Sequence, residues 1–283
     1  MSNPSDDKLE MTFWEHLDEF RKVLFRSAIA IVLLMVVVFV NKTFVFEKVI
    51  FAPRSSDFIL YHWLEDLSFW LQRVFQQLFN NPSIIFSFAP DPFEIKLQNI
   101  ELSAQFFTHI NVSFSLAFIL STPFILYQLW LFVKPALYEK EKKSVVGAFG
   151  WCSLLFFMGV AVGYFFVFPL TIQFLGGYHV TEWVENQISL QSYIHMFTWL
   201  ILIMGLVFEM PVLMRLLSRF GVVSKSLLKK YRKHAACILL LLAAIITPSG
   251  DAFTLFIVAL PLYLLYEVSI FVCADQNHEK DDA

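Results

Sequence analysis

The chain has 283 residues, of which 58% are hydrophobic and 16% charged, with a formal net charge of −3. Soluble domains carry about 25% charged residues, whereas here the apolar residues fall in long blocks and no charged side chain lies between Lys143 and Glu182. An apolar run of about 20 residues crosses the hydrocarbon core as a helix, so composition excludes an ordinary soluble domain and specifies an all-α integral membrane protein.

Residues 1–7 read as a disordered polar leader. The first apolar run starts only near Val23 and no small-residue cleavage site follows it, so it is expected to remain as an anchor rather than be removed. From Met11, the spacing of Phe13, Leu17, Phe20 and Leu24 sets apolar groups on one helical face, with Glu15, Asp18, Glu19 and Lys22 on the other. This amphipathic approach and span one occupy 12–40, Asn41 and Lys42 mark the far interface, and Ala52-Pro53 ends any continuing helix or kinks it. An enlarged external loop follows over 41–106. Within it Leu64, Leu67, Leu71, Val74, Phe75 and Leu78 keep helical spacing, Trp63, Phe69, Trp70 and Phe79 suit a membrane interface, and Asn80-Asn81-Pro82 stops the helix. Residues 95–102 read as a short extended segment.

Spans two to six are expected at 107–130, 145–170, 192–213, 235–247 and 253–272, giving a single six-helix membrane domain. Pro123 is a kink site in span two, span three breaks near Pro169 and Gly176-Gly177, and Thr247-Pro248-Ser249-Gly250-Asp251 forms the last hairpin. The amino terminus, the loops at 131–147 and 215–233 and the tail hold 16 of the 21 Lys and Arg residues, so the positive-inside rule puts both termini in the cytoplasm. The last two spans are short: 17 uncharged residues separate Lys233 from Asp251, and 15 separate Asp251 from Glu267. Cys152, Cys237 and Cys273 lie in apolar segments and read as small buried hydrophobes, not as a disulfide or metal set.

No phosphate-binding loop, nucleophile elbow or zinc-binding His pair is present in the sequence, so neither an enzyme nor a metal or other cofactor is expected. His16 reads as an interfacial polar residue. Glu209, in Phe208-Glu209-Met210-Pro211, lies near the cytoplasmic end of an apolar span, where an ionised carboxylate costs roughly 2.5–3.5 kcal/mol on translocon scales. It should face other helices or a wet cavity, as a contact for a partner helix, a protonation site or half of an internal pair. The 130–143 loop carries more chemistry than a turn requires, and it reads as half of a docking site completed by 14–21. Glu19 and Glu141 could take up two adjacent arginines through bidentate charge-assisted hydrogen bonds. Alternatively, Glu19 pairs with Lys22 and Glu141 with nearby lysines at well under about 1 kcal/mol each.

Six motifs, in order, resemble the TatC family, the multispanning component of the twin-arginine protein translocase. They are His16-Leu17-Asp18-Glu19-Phe20-Arg21, Ala52-Pro53, Ser121-Thr122-Pro123-Phe124-Ile125-Leu126-Tyr127-Gln128-Leu129-Trp130, Phe132-Val133-Lys134-Pro135-Ala136-Leu137-Tyr138-Glu139-Lys140-Glu141, Phe208-Glu209-Met210-Pro211 and Thr247-Pro248-Ser249-Gly250-Asp251. The resemblance implies a receptor in the bacterial inner membrane that binds twin-arginine signal peptides of folded proteins at its cytoplasmic face. It implies single-span partner subunits of the TatA and TatB type, homo-oligomers within the receptor complex, the lipid bilayer as surroundings, no nucleic acid, and export driven by the proton motive force. Carried over by motif position, Glu19, Arg21, Phe132, Pro135, Tyr138 and Glu141 form the signal-peptide site. Glu209 is the intramembrane partner contact, and Pro53, Pro123 and Asp251 serve fold or assembly. The external loop is longer than the family pattern, Phe20 stands where leucine is usual, and an extra residue in 247–251 leaves Leu255 without an assigned role. The competing reading is a proton-coupled small-molecule transporter using Glu209, although no inverted repeat supports it. A passive scaffold would leave the two carboxylates unexplained.

Overall fold

The computed structural model describes residues 13–55, 57–79, 95–133, 139–179, 181, 183, 186–219, 221–247 and 250–273. In hydrocarbon each backbone N–H and C=O must find its partner within the chain, which leaves the helix as the local solution for a long apolar run. Five stretches among the described residues are long and apolar enough to cross a membrane: Trp14–Val40, Ala104–Val133, Gly150–Gly177, Leu190–Arg219 and Ala252–Val272. They comprise α1 (Phe13–Val40), α4 (Ala104–Val133), the later part of α5 (Glu139–Val162) running on through α6 (Phe168–Gly177), α7 (Leu190–Val207) with α8 (Met210–Arg219), and α11 (Ala252–Val272). The segment expected as span five is α10 (Arg232–Ile246), which has 15 residues, follows the short helix α9 (Lys225–Lys230) and packs along α11. Span six, expected to be short as well, is instead 21 residues long, because Glu267 lies inside α11 with its carboxylate paired to Arg232 at 2.6 Å and does not end the helix.

After Val40 the chain stays helical through α2 (Lys42–Phe44) and a π-helical segment, Val45–Ile50, with Lys42, Glu47 and Lys48 turned outward, and this continuing helix ends at Ala52-Pro53 as the sequence anticipates. One boundary differs from the expectation. Around Pro169 the chain continues as helix, because a π-helical turn, Gly163–Val167, precedes it and Pro169 is the second residue of α6, in a first turn where a missing N–H costs little. The external-loop helix is present as α3 (Ile59–Phe79), while its expected stop at 80–82 lies outside the described residues. The extended segment is also present: β1 (Leu97–Gln98) pairs in parallel with β2 (Ile188–Ser189), which lies between α6 and α7, a partner that the local pattern does not announce.

The chain forms two compact units, one containing the residues up to Val40 with Ser113–Ser153, the other Asn41–Val112 with Leu154 onward. The second unit is built on a closely packed aromatic core, in which Phe168 meets Tyr193 and Phe197 edge-on at 5.3 and 5.1 Å. Its polar arrangement follows from Pro53. Proline has no N–H to return to the Val49 carbonyl, and the chain leaves the helix there in a 3-10 turn, Ala52–Arg54. Tyr164 Oη donates to the Val49 carbonyl at 2.9 Å and Tyr193 Oη donates to that of Ile50 at 2.7 Å, so the carbonyls left over by the proline are satisfied by tyrosines. Tyr61 Oη likewise donates to the Pro169 carbonyl at 2.9 Å, and burial pushes its phenol pKa up, which keeps it a neutral donor.

Tyr193 is fully buried, so Tyr193→Phe removes one donor without opening a cavity and leaves the Ile50 carbonyl in an apolar surround. The expected cost is about 1–3 kcal/mol, readable as a lowered thermal midpoint in detergent. An unchanged midpoint would show that the Ile50 carbonyl is satisfied another way.

Candidate functional site

In the first turns of α1, His16 and Phe20 stand four residues apart and therefore share a helix face. Both close on Phe132, in the last turn of α4. The His16 ring stacks on it with centroids 4.2 Å apart, and the Phe20 ring meets it at 5.3 Å. Phe132 is the first residue of the motif at 132–141, so this aromatic cluster holds the amino-terminal motif against the point where that loop begins.

Glu19 lies between His16 and Phe20 in sequence and is partly exposed. Its Oε1 accepts a hydrogen bond from Lys22 Nζ at 2.6 Å, the i, i+3 pairing open in the sequence reading. Arg21 pairs more loosely with Asp18, at 3.8 Å. Both pairs are solvated and therefore contribute little, typically below about 1 kcal/mol. A planar guanidinium offering two parallel N–H donors is a stronger partner for Glu19 than the point charge of Lys22. The Lys22 pair is thus weak enough to be exchanged.

Glu141 lies near the start of the α5 helix, two residues after its first residue, Glu139. The Glu141 side chain, together with Pro135 and Tyr138, lies outside the described residues. Glu209 occupies the turn that separates α7 from α8, followed by Met210 and Pro211, and its Oε1 is shielded from solvent. The helix is therefore interrupted at the carboxylate itself. Pro123 lies inside α4, which stays helical through it while Ser121 and Thr122 each donate a hydroxyl to the Phe118 carbonyl at 3.0 Å. Such back-bonding hydroxyls and the missing proline N–H both loosen a helix at that point. Asp251 is the N-cap of α11, its Oδ1 accepting from the Thr254 amide at 2.7 Å, and an ionised cap also suits the positive end of the helix dipole.

Residues 15–261 match the family model described as Sec-independent protein translocase protein (TatC). The chain is 36% identical to the TatC of Blattabacterium sp. subsp. Periplaneta americana over 94% of its length and 96% of that protein's. The chain belongs to the TatC family. TatC of Campylobacter jejuni is 30% identical over 94% of this chain and 95% of its own. A crystal structure of the twin-arginine translocase receptor TatC in DDM superposes with a TM-score of 0.67 at 30% identity, covering 92% of this chain and 100% of that one. As a TatC protein, the chain is a component of the Sec-independent protein translocase, the Tat system, and a multi-pass membrane protein.

The sequence placed His16 and Phe20 within the 14–21 half of the docking site but gave neither an individual role in it. Their shared face was the available signal, but an i, i+4 pair does not reveal which partner it will meet. Also missed was a seam of small residues in the second unit. Gly159 and Gly163 of the third apolar stretch lie against Ile201, Met204 and Phe208 of the fourth, and Gly205 lies against Phe156 and Val160. A Gly-x-x-x-Gly spacing that lets membrane helices approach closely was its signal.

Proposed function

We propose that this TatC protein is the signal-peptide receptor of its translocase, with six spans, α10 being the fifth, and both termini in the cytoplasm of a bacterial inner membrane. Glu19 and Glu141 take the two arginines of the signal peptide, and Arg21, Phe132, Pro135 and Tyr138 shape the surface around them. The observation carrying this reading is the closure of His16 and Phe20 on Phe132, which supports a site built from the amino-terminal motif and the 132–141 loop. On binding, the first guanidinium displaces Lys22 from Glu19, exchanging one solvated ion pair for a bidentate one. Peptide occupancy then recruits single-span partners of the TatA and TatB type, with Glu209 as their intramembrane polar contact, within a complex holding several copies of the receptor. The proton motive force drives export of the folded cargo. Pro53, Pro123 and Asp251 maintain the fold on which this assembly rests. The family assignment favours this over the small-molecule transporter, for which the shielded carboxylate of Glu209 is the sole support.

The test is binding of a fluorescent twin-arginine signal peptide to the purified full chain in nanodiscs. Replacing both arginines of the peptide by lysine preserves charge but loses the fork, and should weaken binding about tenfold or more. Equal affinity for the two peptides would exclude recognition by paired carboxylates.

A further inference from the structure

Helix α3 has more apolar surface than its packing consumes. One face is used internally: Leu60, Tyr61 and Ser68 are buried and Leu64 packs nearby, against a cluster that includes Tyr164 and Leu170. A second stripe runs beside it through Ile59, Trp63, Leu67, Trp70 and Val74, spaced i, i+4, i+8, i+11 and i+15, so the five share one line along the helix. Trp63 and Trp70 are 62% and 57% exposed, and Ile59 and Leu67 are exposed as well. The remaining third of the surface carries His62, Glu65, Asp66 and Arg73, all exposed, with Phe69 as its one large apolar residue. A helix in water needs only the first of these faces to be apolar; a second apolar stripe, set between the packed face and the polar one, calls for another apolar surround.

The neighbouring chain identifies that surround. Trp63 meets Phe166 edge-on at 6.4 Å. Phe166 belongs to the candidate membrane span Gly150–Gly177, where it and Phe165 are themselves outward-facing. The stripe therefore continues the surface that this span turns towards lipid. Depth follows from Tyr164, two residues away, whose hydroxyl donates to Val49. Val49 directly follows Glu47 and Lys48, both exposed. An apolar surface that reaches a level where charged residues are exposed is at the edge of the hydrocarbon, the depth favoured by tryptophan.

We infer that α3 is a monotopic anchor whose stripe of Ile59, Trp63, Leu67, Trp70 and Val74 inserts into the headgroup–acyl boundary of the leaflet on its side of the membrane. Its polar face stays in water, as in interfacial amphipathic helices. The enlarged loop thereby attaches the second unit to one leaflet independently of the spans. This inference goes beyond the receptor reading and stands or falls separately, since it uses none of the peptide-site residues.

The test uses the full chain in liposomes, with Cys152, Cys237 and Cys273 replaced by alanine and a nitroxide placed in turn at Leu67→Cys, Trp70→Cys, His62→Cys and Glu65→Cys. Positions 67 and 70 should collide freely with oxygen and poorly with an aqueous nickel chelate, while 62 and 65, farther round the helix, show the reverse. Equal exposure of all four to the chelate overturns the inference, and so does exclusion of both agents from 67 and 70, which would mean that protein covers the stripe. The unaltered chain offers a second measurement. A phosphatidylcholine carrying a diazirine near its headgroup should label the peptide containing Trp63 and Trp70, and absence of adducts there also overturns it.

Discussion

Glu141→Ala should abolish export of a folded reporter that carries a twin-arginine signal peptide, while general secretion through the cell's other pathway continues. A charge-assisted hydrogen bond contributes roughly 1.5–3 kcal/mol, so loss of one carboxylate from a two-carboxylate site weakens binding by about one to two orders of magnitude. The expected effect is larger at Glu141 than at Glu19. Glu19 already has a competing cation, Lys22, at 2.6 Å, so part of its contribution is spent in displacing that lysine. Glu141 also lies near the amino-terminal end of α5, where a carboxylate favours the helix through the dipole by about 0.3–1 kcal/mol. Glu141→Gln separates the two contributions, since it retains shape and helix propensity but not the charge. If both variants accumulate normally in the membrane and neither exports the reporter, charge is required for recognition. Normal export by Glu141→Ala would remove this residue from the signal-peptide site.

The sequence was most informative where composition changes sharply. Asp251 marked the start of span six, and α11 begins at Ala252, although Glu267, which made the span look short, lies within the helix. Helix α3 was legible from the spacing of Leu64, Leu67, Leu71 and Val74, because an amphipathic pattern states both the period and the facing. Inside the spans this signal disappears, since nearly every position is apolar and the period no longer says which side meets protein. For that reason the Gly159 and Gly163 contacts were not read. At the candidate site, charge counting gave only an expectation of the side on which Glu19 and Glu141 lie, and their pairing rests on the resemblance of the motifs. The contact that links their segments, His16 and Phe20 on Phe132, joins residues more than a hundred positions apart. No local pattern encodes such a contact.

Gly159→Ala should cost the protein a large part of its stability, although alanine is the better helix former. On propensity alone the change would gain about 0.8–1 kcal/mol in a helix interior. At Gly159 the added methyl would collide with the Met204 backbone carbonyl oxygen and stand 2.8 Å from Cβ and Cγ of Phe208. A backbone atom cannot rotate aside, so the two helices must separate along the seam, and overpacking of this kind costs about 1–3 kcal/mol or more. That cost falls on a total stability of about 5–15 kcal/mol. Two glycines of the same apolar stretch serve as controls. Among the described residues nothing lies within 4 Å of a methyl added at Gly150, so Gly150→Ala should be neutral or slightly stabilising. At Gly163 the nearest atoms are Cα of Ile201 and Cβ of Met204, both at 3.1 Å, so Gly163→Ala should fall between the other two. The measurement is the thermal midpoint of the purified chain in one detergent, with yield of monodisperse protein as a second readout. Because Phe208 leads directly into the turn that holds Glu209, opening the seam should also shift that turn, and the reporter should lose export faster than the protein loses accumulation. An order in which Gly150→Ala is the most damaging of the three would contradict close helix approach at Gly159, and with it this account of how Glu209 is held.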